Sequence, residues 1–176
     1  MKKWELISKK EAYSGFRKVE LWTYRLPDGK IREFDILAWG EAICALVITK
    51  RGEVVLARQF RPAQGIIMDE LPGGGLGSDE SPEDAIKREV LEETGYAGKV
   101  IAVGTASKDA YSTFKVHSFL ITDAEQVSEP HNDPAEPIEV VLKNMKQFKE
   151  HLMKGELSDI TTAHQALSFY ENNLSS

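Results

Sequence analysis

Residues 74–96 read GGLGSDESPEDAIKREVLEETGY, and the rest of the chain is best understood outward from them. Ser81-Pro82 opens a helix. Ser81 is of the type that caps a helix N-terminus, and Pro82 falls at the first helical position, where its missing N–H does no harm. Glu83 and Asp84 suit the positive end of the helix dipole, and Gly95 is a stop signal. On this helix Glu89, Glu92 and Glu93 stand at i, i+3 and i+4, within an arc of roughly 100°. Three carboxylates on one face repel one another and call for cationic compensation. Hard ions such as Mg²⁺ favour oxygen donors and also bind substrate phosphates. Arg88 is placed to hold a carboxylate by a bidentate pair. The glycines ahead of the helix allow a ligand or a metal to approach the backbone closely. An acidic, solvated helix face is the plain alternative. Against it stand seven fixed positions: Gly74, Glu80, Arg88, Glu89, Glu92, Glu93 and Gly95. Their chance coincidence at one starting point is on the order of 10⁻⁸ at about 7% per residue.

On both sides the chain alternates strands and turns. Residues 42–49 (AICALVIT) and 53–60 (EVVLARQF) read as two strands joined at Lys50-Arg51-Gly52, and a short strand ends at Leu71. Ahead of them, residues 19–25 and 31–37 form a hairpin around Leu26-Pro27-Asp28-Gly29. Beyond the helix, strands are expected near 99–104, 115–122 and 138–142, and helices over 143–154 and 159–173. Residues 126–137, with Pro130, Pro134 and Pro137, make a loop. The interleaving predicts an α/β class domain over 41–176, preceded by a small N-terminal β unit over 1–40. A two-stranded unit cannot bury both faces alone, so a second subunit is expected to cover it, making a homodimer.

Composition narrows the partners. The 176 residues carry a formal charge of −6 and no long Lys/Arg run, so no nucleic-acid surface is expected. No apolar stretch reaches membrane-spanning length, and the N-terminus lacks an apolar signal core. Cys44 is alone, which excludes an intramolecular disulfide and a Cys-based zinc site and agrees with a cytoplasmic setting.

The 74–96 segment resembles the Nudix box, G-x5-E-x7-R-E-U-x-E-E-x-G-U, at every fixed position. Tyr96 stands where an aliphatic residue is usual. The resemblance implies a Nudix α/β/α sandwich with a mixed sheet and metal-dependent hydrolysis of a nucleoside diphosphate linked to another group. It implies Glu89 and Glu93 as principal ligands of Mg²⁺ or Mn²⁺, Glu92 as an assisting ligand with a catalytic share, and the carbonyl of Gly73 or Gly74 as a further ligand. Arg88 belongs to the same catalytic set.

Nearly the whole chain is similar to the ADP-ribose and nucleoside-diphosphate-sugar pyrophosphatases. The similarity rests on the hairpin with Pro27-Asp28-Gly29, on Arg58-Gln59-Phe60-Arg61-Pro62 followed by Glu70-Leu71-Pro72, and on Glu136 before the strand Ile138-Glu139-Val140. It implies a dimerising N-terminal unit, Arg61 on the diphosphate, Phe16 and Phe34 stacking on the base, and Glu136 as general base toward the attacking water. From the residues alone, Arg61 equally suits a surface ion pair, Phe16 and Phe34 the core, and Glu136 an exposed loop. His117, Trp4, Trp22 and Trp39 read as structural or packing residues. The stretch Lys108-Asp109-Ala110-Tyr111-Ser112 lacks the proline common in ADP-ribose hydrolases. Dinucleoside polyphosphates or another nucleotide therefore remain an alternative substrate class, and a non-catalytic nucleotide-sugar sensor is a third reading.

Overall fold

A computed structural model describes residues 1–131 and 137–174. They divide into two compact units. The first comprises Met1–Glu41 with Ser107–Lys115, and the second Ala42–Ala106 with Val116–Ser176.

The first unit is a three-stranded antiparallel sheet, β1 (Glu5–Ser14), β2 (Lys18–Arg25) and β3 (Ile31–Leu37), in that order. Strands β2 and β3 are the hairpin expected from sequence, closed by a turn in which Gly29 takes φ 85° and its N–H donates to the Leu26 carbonyl at 2.9 Å. Strand β1 was not expected. Its register shifts between Leu6 and Ser8 and again between Glu11 and Tyr13, and such bulges destroy the period-two alternation that betrays a strand. All ten of its residues are exposed. The segment 107–115 joins this unit through backbone: Leu37 N–H donates to the Tyr111 carbonyl and Thr113 N–H to the Leu37 carbonyl.

The second unit is built on a seven-stranded sheet. Its continuous path runs β10 (Glu139–Asn144), β5 (Glu53–Arg61), β4 (Glu41–Thr49), β9 (Lys115–Gln126), β8 (Tyr96–Ser107). Off that path, β6 (Ile66–Glu70) pairs with β5 and β7 (Gly73–Gly75) with β4. Strands β4, β5, β6, β7 and β10 pair antiparallel. The C-terminal ends of β4 and β9 meet, with Lys50 N–H on the Ala124 carbonyl at 3.3 Å, so these neighbours run parallel and the sheet is mixed.

Alternation along the strands sends successive side chains to opposite faces. Ile43, Ala45, Val47, Val55, Phe119 and Ile121 form one core with Ala85, Ile86 and Val90 of α1 (Pro82–Thr94). Residues one position out of phase (Cys44, Leu46, Ile48, Val54, Leu56 and Leu120) are buried as well. Ser118, in phase with Leu120, hydrogen-bonds Thr162 of α3 (Ile160–Asn173) at 2.8 Å. The second face is thus covered by the C-terminal helices, which bury Phe148 and Leu152 of α2 (Met145–Lys154) and Ala163 and Ala166 of α3. This is the expected α/β/α sandwich. Full burial of each such aliphatic side chain contributes about 1.5–3 kcal/mol, which is why these strands are apolar on both faces.

Candidate active site

Helix α1 forms where its sequence predicts. The Ser81 hydroxyl accepts the Asp84 N–H at 3.1 Å, Pro82 occupies the first turn, and Gly95 ends the helix at φ 74° with its N–H on the Leu91 carbonyl at 2.9 Å. Gly95 is required twice over. Its φ is positive, and a Cβ there would stand 2.1 Å from the Ser128 carbonyl oxygen.

The acidic face is organised by one cation. The Arg88 guanidinium donates to both oxygens of Glu80, Nη2 to Oε1 at 2.9 Å and Nε to Oε2 at 3.3 Å. Its Nη1 donates to Glu89 and to Glu92, each at 2.9 Å. Hydrogen bonding to Glu80, outweighing the cost of burial, raises the Arg88 pKa further above its ordinary range. The same bonds, helped by the Gly77 N–H, hold Glu80 below the usual carboxylate range. Glu80 is the site residue that the reading by chemistry left without a role. Its signal is the fixed spacing to Arg88; Glu80 precedes the N-cap Ser81 and so lies outside the helix, where helical periodicity is silent about it.

The glycine loop closes on this face. Glu93 accepts the Gly73 N–H at 3.0 Å. Glu89 lies so close to Gly74 that a Cβ there would meet its carboxylate at 2.7 Å. Gly73 is itself packed on β4, where a Cβ would come within 2.3 Å of the Ile43 carbonyl oxygen. Glu89, Glu92, Glu93 and Gly73 are therefore brought together by α1 and the β7 segment, with Arg88 among them.

Three carboxylates, Glu80, Glu89 and Glu92, share one guanidinium, Glu93 stands beside them, and the available ligand atoms are all oxygen. That chemistry fits a hard divalent cation. No three His, Cys, Asp or Glu groups converge as a finished cage among the described residues. A Mg²⁺-type site does not demand one, because such an ion is held by one or two carboxylates, waters and substrate phosphates.

Arg61, at the end of β5, points its guanidinium at Glu70, pairing Nε and Nη2 with Oε2. Glu70 lies three residues before Gly73, and three residues reach at most about 10 Å. The Arg61–Glu70 pair and the acidic face are thus parts of one locality.

Phe34 and Phe16 are not brought together in their unit. Phe34, on β3, stacks on Trp4 (centroids 5.5 Å, 28°) and on Tyr111 (6.1 Å, 23°) at a hollow of about 200 Å³ also lined by Trp22 and Tyr24. Phe16, in the β1–β2 turn, is 86% exposed and its ring leans on Trp39 at 5.6 Å. His117 contacts the Thr105 hydroxyl at 3.1 Å, and Trp39 stacks on Phe114 at 4.6 Å. Glu136 lies outside the described residues. The last described residue before it, His131, donates its N–H to the backbone carbonyl of Glu92 at 2.8 Å.

A groove of about 860 Å³ contains none of the box acids. It runs between β5, β6, β10 and α2 past Arg58, Asp69, Lys143 and His151. Size alone therefore does not mark the site. Cys44 is fully buried, which pushes its thiol well up and leaves it unsuited to nucleophilic work.

Residues 38–161, well over half of the chain, match the NUDIX domain family. The chain is a Nudix hydrolase. Among relatives of this Nudix chain, an ADP-ribose pyrophosphatase of Bacillus subtilis is 29% identical over 163 residues, covering 90% of this chain and 88% of that protein. The mouse ADP-sugar pyrophosphatase is 36% identical over 94 residues, covering 47% of this chain and 43% of its own length. A crystal structure of an ADP compounds hydrolase superposes with a TM-score of 0.83 at 17% identity, covering 99% of this chain and 97% of that one. The last shares the Nudix fold. No helix of the described residues is long and apolar enough to cross a membrane.

Proposed function

We propose that this Nudix hydrolase cleaves the pyrophosphate bond of ADP-ribose or a related nucleoside diphosphate sugar, releasing a nucleoside monophosphate and a sugar phosphate. The observation that carries this reading is the intact acidic face, gathered by Arg88 and closed by the Gly73–Glu93 contact. Similarity to an ADP-ribose pyrophosphatase over 90% of this chain supports the substrate class.

In this reading Glu89 and Glu93 hold Mg²⁺, or Mn²⁺ in its place, with Glu92 assisting and the Gly73 carbonyl as a further ligand. When bound, the ion neutralises the diphosphate and favours ionisation of water. Arg88 gathers Glu80, Glu89 and Glu92 and holds them oriented. Arg61 takes the diphosphate, and Phe34 and Phe16 supply flat apolar surface for the base. The oxygen of water forms a new bond to one phosphorus. The bridging P–O bond breaks, and the departing phosphate keeps the electron pair. Glu136 takes the water proton. The protein acts as a homodimer through its N-terminal unit (residues 1–40), with residues 41–176 as the hydrolase domain, and works in the cytoplasm.

The test is a substrate panel with Mg²⁺, resolved by product chromatography. ADP-ribose and other nucleoside diphosphate sugars should be split to monophosphate and sugar phosphate faster than dinucleoside polyphosphates. Preference for the latter, or no turnover of any nucleotide, would overturn the assignment.

A further inference from the structure

Glu70 is an ionisable residue with only 1% of its surface exposed. A carboxylate leaves water at high cost unless it is paired and hydrogen-bonded, so its partners define its purpose. Oε1 accepts the backbone N–H of Ser158, in the connection between α2 and α3, at 2.8 Å. Oε2 accepts both Nε and Nη2 of Arg61. One oxygen is thus moored to backbone, and the other grips a side chain that is 35% exposed.

The geometry points to Glu70 as a positioning residue for Arg61, and this rests on the reading of Arg61 as the diphosphate contact. A guanidinium carries five N–H donors in a fixed planar fork. Glu70 occupies one edge, through Nε and Nη2. The opposite edge, with Nη1, has no partner among the described residues. A long side chain at a strand end, beside the turn that Gly65 closes with its N–H on the Arg61 carbonyl at 2.8 Å, would otherwise sample several rotamers. Holding it in one orientation lowers the ordering cost when an anion binds. Glu70 touches neither substrate nor reacting atoms in this scheme and acts through Arg61. A purely architectural Glu70, pinning the α2–α3 connection through Ser158, is the competing explanation.

A double-mutant cycle separates the two. Glu70→Gln keeps the volume and an oxygen for Ser158 N–H but loses the charge that fixes Arg61. With ADP-ribose and Mg²⁺, Glu70→Gln should raise KM about 5-fold or more and Arg61→Ala about 10-fold or more. The double variant should match Arg61→Ala within about twofold, because Glu70 has nothing left to position. Should Glu70→Gln fail to fold, Glu70→Asp keeps the charge, withdraws it by one methylene and is compared in the same way. The proposal is overturned if the Glu70 change multiplies KM equally with and without Arg61, or if it lowers the melting temperature with KM unmoved. An unchanged KM for Arg61→Ala overturns it too, by removing Arg61 from the diphosphate. A wild-type protein inert toward every ADP-sugar would instead strike the substrate reading. The cycle would then be measured as calorimetric binding of inorganic pyrophosphate, with the same outcomes deciding Glu70.

Discussion

Arg88 forks onto Glu80, eight residues back, while its free edge bridges Glu89 and Glu92 at 2.9 Å each. A planar fork makes this geometry and an ammonium does not. Arg88→Ala should therefore lower kcat by about 10-fold or more, since misplaced catalytic groups cost rate steeply, and Arg88→Lys should recover little of it. Steady-state kinetics of the two variants decide this. Full activity in the lysine protein would show that charge alone suffices.

Glu93 joins the helix to the glycine loop through the Gly73 N–H. Glu93→Gln retains an acceptor for that donor but removes one charge. A loss of at least about 10²-fold in kcat is expected, roughly 2.7 kcal/mol of barrier. Near wild-type turnover at saturating Mg²⁺ would take Glu93 out of the metal site.

The general base is tested by a pair. Glu136→Gln should lower kcat by about 10²-fold or more with KM held within a few-fold, as general-base catalysis is worth 10²–10⁴. Glu139 is the control. It begins β10 opposite Arg58, 3.9 Å from that guanidinium and 71% exposed, so Glu139→Gln should do little. Equal effects, or a more damaging Glu139→Gln, would move the base away from Glu136.

Asp69 links β6 to β5 and β10. Burial works to raise its pKa, but hydrogen bonds from Arg58 at 2.6 Å and an ion pair with Lys143 at 2.7 Å outweigh it and bring it to about 2. Since the folded value lies below the unfolded one, near 3.9, the carboxylate stabilises the fold fully above pH 4. That contribution is lost as pH falls toward 2. The melting temperature of Asp69→Asn should thus lie below wild type near pH 6, with the gap closing on acidification. A gap independent of pH would show that ionisation of Asp69 does not matter.

The N-terminal unit presents β1 with every residue exposed, including Trp4 at 44% just before it and Tyr13 at 61%. An uncovered strand at a sheet edge is open to pairing. Light scattering at micromolar concentration should give twice the 19.7 kDa chain mass. A monomer mass would reject the dimer.

What the sequence by itself determined was everything governed by neighbours a few residues apart. The cap at Ser81, the proline at 82, the glycine stop at 95 and the shared face of Glu89, Glu92 and Glu93 follow from helix periodicity, and α1 forms as read. So do β2 and β3, whose alternation is unbroken and whose turn demands a glycine. Only the tertiary structure decided β1, because two register shifts erase its pattern, and the membership of Ser107–Lys115 in the N-terminal unit. It also decided which carboxylate holds Arg61. Glu70 is nine positions away across the β5–β6 pairing, and its other oxygen is claimed by Ser158, eighty-eight residues on. Partner choice between distant segments is set by strand register and burial, and a one-dimensional pattern carries neither.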